Sequence, residues 1–182
     1  MTQEFYMRQA YLEAGKAAAL DEVPIGAVVV NPETGEIVAA AHNLSEHGGD
    51  AADHAEMLAL RRACRKLQSN RLREMDLYVT LEPCTMCAAA ISFMRIRHLY
   101  IGAEDPKGGA VLNGVKFYDA PTCHHRPQVT SGILAAECAR ILKDFFAAKR
   151  QKRAYRPFFR NCRSNVERKS SEAEEAVCCR SS

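Results

Sequence analysis

The chain lacks several features that would have fixed its class at once. No run of apolar residues among its 182 is long enough to span a bilayer, which excludes a membrane-spanning helix. Its first six residues lack the basic-then-apolar order of a secretory signal peptide, so we expect a cytoplasmic protein with no membrane partner. No repeat appears at the periods typical of solenoids, which excludes that architecture.

The length and composition of the chain are typical of one compact domain followed by a tail. The chain is 47% apolar and contains eight cysteines, which we expect to stay reduced in the cytoplasm. Its net charge of +3 is unevenly distributed: residues 1–148 sum to −3, and residues 149–182 sum to +6. A basic C-terminal end favours a polyanionic partner, although many basic tails are merely solvated.

Hydrophobic periodicity predicts alternating strands and helices. Helical spacing favours four helices, the second beginning near His54, and the apolar runs favour five strands. Alternation in the second half indicates a mixed sheet between two helical layers. The predicted helices are 2–20, one through residues 56–63, 84–94 and 133–150, and the predicted strands are 25–30, 37–41, 77–81, 98–103 and 128–130.

The strongest chemical signal is His54-Ala55-Glu56 followed by Pro83-Cys84-Thr85-Met86-Cys87. One imidazole and two thiolates are three zinc ligands, and a catalytic zinc site keeps its fourth position open for water. Glu56 then stands beside that water as an acid/base group, an arrangement that predicts hydrolytic deamination. The alternative is a closed structural site in which Cys64 or Cys123 supplies a fourth ligand.

Local signals support the same site. Pro83 fits the first position of a helix, where its missing N–H does no harm. Cys84 and Cys87 would then share one face of the first turn, and a helix N-terminus favours thiolates. His54 at the start of another helix would bring two helix N-termini to one metal ion.

Both motif halves resemble the cytidine/deoxycytidylate deaminase superfamily. Across residues 4–150 the chain further resembles the bacterial tRNA adenosine deaminases. The stretches that carry this resemblance are 22–28, 77–84, 102–110, 123–127, 132–138 and 144–146.

The resemblance implies a three-layer α/β/α cytidine-deaminase-like fold with a mixed central sheet of about five strands. It also implies a homodimeric hydrolase that acts on the C–N bond of a cyclic amidine and binds one Zn²⁺ per subunit. The reaction would convert adenosine to inosine at the wobble position of a tRNA anticodon, with loss of ammonia from C6. Zinc would be bound by His54, Cys84 and Cys87, and Glu56 would move the proton.

Further residues are implied to contact the tRNA anticodon stem-loop. Asn43 would hydrogen-bond the flipped base, or simply end its strand. Asp105 would lie near a ribose, or form a turn before Pro106, and Lys107 would meet phosphate or be ordinary surface. The remaining expected RNA contacts, at the end of the last helix, are Phe146, Lys149 and Arg150. Whichever of Phe145 and Phe146 faces inward would instead belong to the core.

Three positions depart from the family pattern. Asp50-Ala51-Ala52-Asp53 replaces the usual Asp-Pro-Thr-Ala, which puts a carboxylate beside the first ligand and makes Asp53 a candidate helix cap. Ala89 adds a methyl group to the cysteine helix. Phe93 is larger or less polar than the usual residue. These changes bear on efficiency and substrate fit rather than on the reaction type.

We expect a deaminase domain over residues 1–155 and a basic, disordered tail over residues 156–182. Aromatic and basic residues alternate over residues 155–160, which suits single-stranded RNA or an unstructured tail. Two other functions remain open: deamination of a free base or nucleotide (guanine, cytidine or dCMP), and a non-catalytic, zinc-stabilised RNA-binding module. Glu56 argues against the second, because a structural site does not need it.

Overall fold

The computed structural model describes residues 1–154, and the expected tail over residues 156–182 lies outside them. One compact unit comprises Met1–Phe145, and a second unit begins at Phe146. The strands are β1 (Gly26–Val30), β2 (Ile37–His42), β3 (Asp76–Leu81), β4 (His98–Ala103) and β5 (Gln128–Ser131). The helices are α1 (Gln3–Ala19), α2 (Ala55–Leu67), α3 (Thr85–Phe93) and α4 (Ala135–Ala154), with a 3₁₀ turn at Phe117–Asp119.

The five strands form one mixed sheet in the order β2-β1-β3-β4-β5. β1 pairs antiparallel with β2 and β3, whereas β3, β4 and β5 run parallel. The β1–β2 hairpin closes through Asn31, whose side chain accepts the Glu33 N–H at 3.0 Å, and through Gly35 with φ +74°. Asparagine and glycine suit such a turn because they provide a side-chain acceptor and a left-handed backbone.

Alternate residues of β1 pack into two separate cores. Ala27 and Val29 lie in the core beneath α2 and α3, and Val28 and Val30 lie in the core with α1 and the first part of α4. Because both faces are covered, every residue of β1 is buried. The predicted three-layer α/β/α fold with a five-stranded mixed sheet is therefore confirmed.

Two helix starts differ from the prediction. α3 begins at Thr85 with Cys84 as its N-cap, so the assignment of Pro83 to the first helical position was wrong. α4 begins at Ala135 rather than Ile133, because Gly132 (φ +93°) and Leu134 (φ +53°) have left-handed backbone that cannot belong to a helix.

The fold brings the ligand motifs to one edge of the sheet. β3 ends at Leu81, three residues before Cys84, and in open α/β sheets ligands bind beyond the carboxyl ends of parallel strands. Among residues 1–154, no helix has the length and apolar character needed to cross a membrane.

Candidate metal and active site

Two of the three candidate ligands are the N-cap residues of helices. His54 precedes α2 and Cys84 precedes α3, and neither makes a side-chain capping hydrogen bond. Cys87 is buried in the first turn of α3. An N-cap side chain normally accepts a hydrogen bond from a free backbone N–H of the helix. Because His54 and Cys84 do not act as caps in this way, their side chains are available to an ion.

The ligand atoms are spaced as zinc requires. His54 Nδ1 lies 3.7 Å from Cys84 Sγ and 3.5 Å from Cys87 Sγ, and all three atoms lie within 4.8 Å of one another. Normal bond lengths in a tetrahedral zinc site separate a nitrogen and a sulfur ligand by about 3.6 Å. Within residues 1–154, the group contains neither Cys64 nor Cys123, the fourth ligands that a closed structural site would use. Three ligands leave a position for water or substrate.

Hydrogen bonding among the ligands prepares a thiolate. A hydrogen bond from Cys87 lowers the pKa of Cys84 to about 4. The same hydrogen bond and burial raise the pKa of Cys87, and the hydrogen bond with Cys84 raises the pKa of His54. The three groups therefore share protons, which a bound metal would displace because it needs deprotonated ligands.

Glu56 lies in the first turn of α2, two residues after His54, and its side chain is buried. Within residues 1–154, its Oε2 has no hydrogen-bond partner, and burial raises the pKa of the carboxyl group. Buried polar atoms are nearly always paired, so an unpaired oxygen here indicates a place for a water or substrate atom.

Asn43 lies just past the end of β2 and is buried. Its Nδ2 donates to Glu22 Oε2 at 2.9 Å and to Ser45 Oγ at 3.0 Å. The next N–H, that of Leu44, donates to the carbonyl of Asp53 at 3.0 Å, and Asp53 precedes His54. The loop that carries Asn43 is thereby tied to the metal site.

A second buried carboxylate, that of Glu82, holds the loop after β4. Backbone N–H groups of four residues donate to it: Asp105, Val111, Leu112 and Asn113. The Asp105 side chain accepts the Lys107 N–H at 3.0 Å and so does form the turn, and Lys107 is exposed. Their contacts with RNA remain a prediction.

The last three predicted RNA contacts lie on α4. Phe146 and Arg150 are exposed, and Lys149 is half-buried. Phe145, the residue before Phe146, is half-buried. Their contact with RNA likewise remains a prediction.

Comparison with known proteins identifies the family. Residues 1–150 match the MafB19-like deaminase family. The tRNA-specific adenosine deaminase of Agrobacterium fabrum is 54% identical over 145 residues, 80% of this chain and 94% of the relative. The chain belongs to the tRNA-specific adenosine deaminase family. A solved structure from studies of A-to-I editing by tRNA:A34 deaminases at the wobble position is 54% identical, with a TM-score of 0.75, over 77% of this chain and 100% of that one.

The fold of this tRNA-specific adenosine deaminase family member also resembles that of a free-base enzyme. A guanine deaminase from Nitrosomonas europaea is 26% identical, with a TM-score of 0.70, over 80% of this chain and 85% of its own. The fold is therefore shared with a deaminase named for a different substrate, and the sequence identity to the tRNA-specific relative is higher.

None of the three departures from the family pattern belongs to the ligand group found within residues 1–154. The sequence made Asp53 a candidate cap of α2, but the N-cap position is occupied by His54. Its carboxylate instead pairs with Arg61 at 3.2 Å and is outside the ligand group. Phe93 is 67% exposed at the end of α3, and Ala89 is half-buried.

Sequence reasoning gave no role to Glu22 or Glu82. Glu22 precedes the apolar run of β1 and Glu82 follows that of β3, and a carboxylate beside an apolar run is a signal of a buried, hydrogen-bonded anion. Tyr118, in the 3₁₀ turn, was also missed: its hydroxyl is buried with no hydrogen-bond partner among residues 1–154.

Proposed function

We propose that this protein hydrolytically deaminates adenosine to inosine at the wobble position of a tRNA anticodon. The observation that carries the chemistry is a three-ligand group at zinc spacing beside Glu56, whose Oε2 is buried and unpaired. The substrate assignment is supported by the 54% identity to a tRNA-specific adenosine deaminase over 94% of that relative's length.

In this proposal His54, Cys84 and Cys87 bind one zinc ion per subunit. A zinc ion held by these residues would lower the pKa of a water molecule toward neutrality and so supply a nucleophile. Glu56 accepts one proton from the attacking water and delivers it to the purine ring, and it then passes the second proton from the hydroxyl formed at C6 to the amino group. Water adds at C6, the C6–N6 bond breaks, and ammonia leaves.

The remaining roles concern the RNA. Asn43 hydrogen-bonds the extruded adenine, and Asp105 and Lys107 meet the backbone beside it. An anticodon loop suits this mode because its bases are already unpaired and cost less to extrude. Phe146, Lys149 and Arg150, in the second half of α4, are further proposed contacts with the tRNA. We further propose a cytoplasmic homodimer.

The alternative substrate is a free purine. The fold shared with a guanine deaminase supports it, but at 26% identity rather than 54%. The non-catalytic alternative leaves the buried, unpaired carboxyl oxygen of Glu56 without a purpose.

The test is to incubate the zinc-loaded protein with an anticodon stem-loop that carries adenosine at the first anticodon position, and to measure inosine by nuclease digestion and mass spectrometry. A stem-loop with the adenosine moved one position is the matched control. We expect inosine only in the first RNA. Release of ammonia from free guanine with no inosine in either RNA would instead establish the free-base reaction.

A further inference from the structure

Glu22 is a fully buried carboxylate, three residues after the end of α1. Its Oε1 accepts the backbone N–H groups of Glu46 at 2.8 Å and His47 at 2.7 Å, and its Oε2 accepts Asn43 Nδ2 at 2.9 Å. Burial acts to raise the pKa of Glu22, but these hydrogen bonds outweigh it and hold the pKa below its usual value. The group is therefore an anion that can only accept hydrogen bonds.

This anion fixes the orientation of the Asn43 amide. An asparagine side chain can be turned over with little change in shape, exchanging its oxygen and its NH₂ group. Only the NH₂ group can face a carboxylate, so Glu22 selects one of the two orientations. Within residues 1–154, Asn43 donates both of its side-chain hydrogen bonds through Nδ2, to Glu22 and to Ser45. Its Oδ1 is left to accept a hydrogen bond from a ligand.

The selected orientation matches one edge of adenine. That edge presents the N6 amino donor beside the N7 acceptor, and asparagine pairs with it through its oxygen and one N–H. The Ser45 hydroxyl can rotate away, which frees one hydrogen of Asn43 Nδ2 to bond an entering base. Glu22 continues to accept the other hydrogen of Nδ2. Inosine carries an oxygen in place of the amino group and so presents two acceptors, which this orientation does not match.

We propose that Glu22 is a positioning residue that locks the Asn43 amide in the orientation that favours the adenine of the substrate over the hypoxanthine of the product. The inference rests on the proposed function, in which Asn43 contacts the target base. It assigns Glu22 a part in substrate choice and product release beyond holding the loop over residues 43–47.

Glu22→Gln is the informative variant, because it separates these two roles. In this variant the glutamine oxygen still accepts the backbone N–H groups of Glu46 and His47. The glutamine NH₂ group must therefore face Asn43. Asn43 can then accept that hydrogen bond only through Oδ1, and its amide is reversed. Glu22→Ala removes the loop anchor as well. Glu13→Gln is the matched control, because Glu13 is a half-buried carboxylate paired with His42, the residue before Asn43.

The measurement compares KM for the adenosine stem-loop with the inhibition constant of the inosine stem-loop, using zinc-loaded enzyme. In Glu22→Gln we expect the ratio of inhibition constant to KM to fall about tenfold, the size of one base-edge hydrogen-bond pair. Glu13→Gln should keep the ratio of the parent enzyme. An unchanged ratio in Glu22→Gln would overturn the proposal, whether or not its loss of activity equals that of Glu22→Ala.

A second readout does not depend on RNA. The side-chain amide resonance of Asn43 is assigned by NMR from its loss in Asn43→Ala. We expect it to shift in Glu22→Gln and to remain in place in Glu13→Gln; no shift in Glu22→Gln would also overturn the proposal. If the parent protein makes no inosine but this resonance shifts as expected, the proposed function fails while the orientation of the amide by Glu22 stands.

Discussion

Replacing Glu56 with glutamine should separate catalysis from stability. The Oε2 atom makes no hydrogen bond within residues 1–154, so placing an amide group at that atom breaks no hydrogen bond of the fold. A neutral amide is also less costly to bury than a carboxylate. Catalysis, in contrast, loses its proton carrier, and a positioned acid/base group accelerates reactions by about 10²–10⁴-fold. We therefore expect kcat/KM to fall by that factor, about 3–5 kcal/mol of barrier, with the free energy of unfolding unchanged or higher.

The assay has three parts: inosine formation in the stem-loop, bound zinc by elemental analysis, and unfolding in urea. Asp76→Asn is the reciprocal control, because Asp76 is buried and bonded to Arg97 through both carboxylate oxygens at 2.9 and 2.7 Å. It should lose about 1.5–3 kcal/mol of stability, typical of a hydrogen-bonded charged group, and keep its kcat/KM.

Two results would refute this reasoning. If Glu56→Gln with full zinc kept kcat/KM within about tenfold of the parent, Glu56 would not be the proton carrier, since such carriers contribute at least about a hundredfold. If the variant lost its zinc, Glu56 would belong to the metal site, contrary to the three-residue ligand group.

Three further predictions follow from other groups. Cys87→Ala should bind far less zinc than the parent and lose activity in proportion, measured by elemental analysis beside the inosine assay; full zinc occupancy would show that Cys87 is not a ligand. Tyr118→Phe removes an unpaired buried hydroxyl and should leave the free energy of unfolding unchanged or raise it by up to about 1 kcal/mol, whereas a clear loss in urea unfolding would reveal a partner. The pKa of Glu22 lies below its usual 4.5 in the folded protein, so its ionisation stabilises the fold above that pH. The stability lost in Glu22→Gln should therefore be largest near neutral pH and shrink as the pH falls below about 4.5; a loss independent of pH in urea titrations would contradict this.

The sequence predicted what depends on short separations. The helix over residues 2–20, the strands over residues 25–30 and 37–41 and the ligand spacing of Cys84 and Cys87 are local patterns, and the helix and both strands are confirmed by the structure. The starts of α3 and α4 were misplaced by two residues or fewer. At α4 the reason is that Leu134 adopts a left-handed backbone, which its residue type does not suggest.

The rest depends on contacts between distant segments. Glu22 accepts N–H groups 24 and 25 residues away, and Glu82 accepts N–H groups 23 to 31 residues away. No local pattern shows that a backbone N–H will arrive at such a carboxylate. The direction of the Asp53 side chain was equally open until Arg61, eight residues later, was seen to pair with it.

The ligand set also acts as a cross-link in the chain. Cys84 follows His54 by 30 residues and Cys87 follows it by 33, so a bound ion closes a ring that contains all of β3. Closing such a ring restricts the unfolded chain, and the affinity for the ion adds to the free energy of folding. We therefore expect zinc supply to govern how long the polypeptide survives as well as how fast it reacts, with faster proteolysis in the presence of a chelator as the measure.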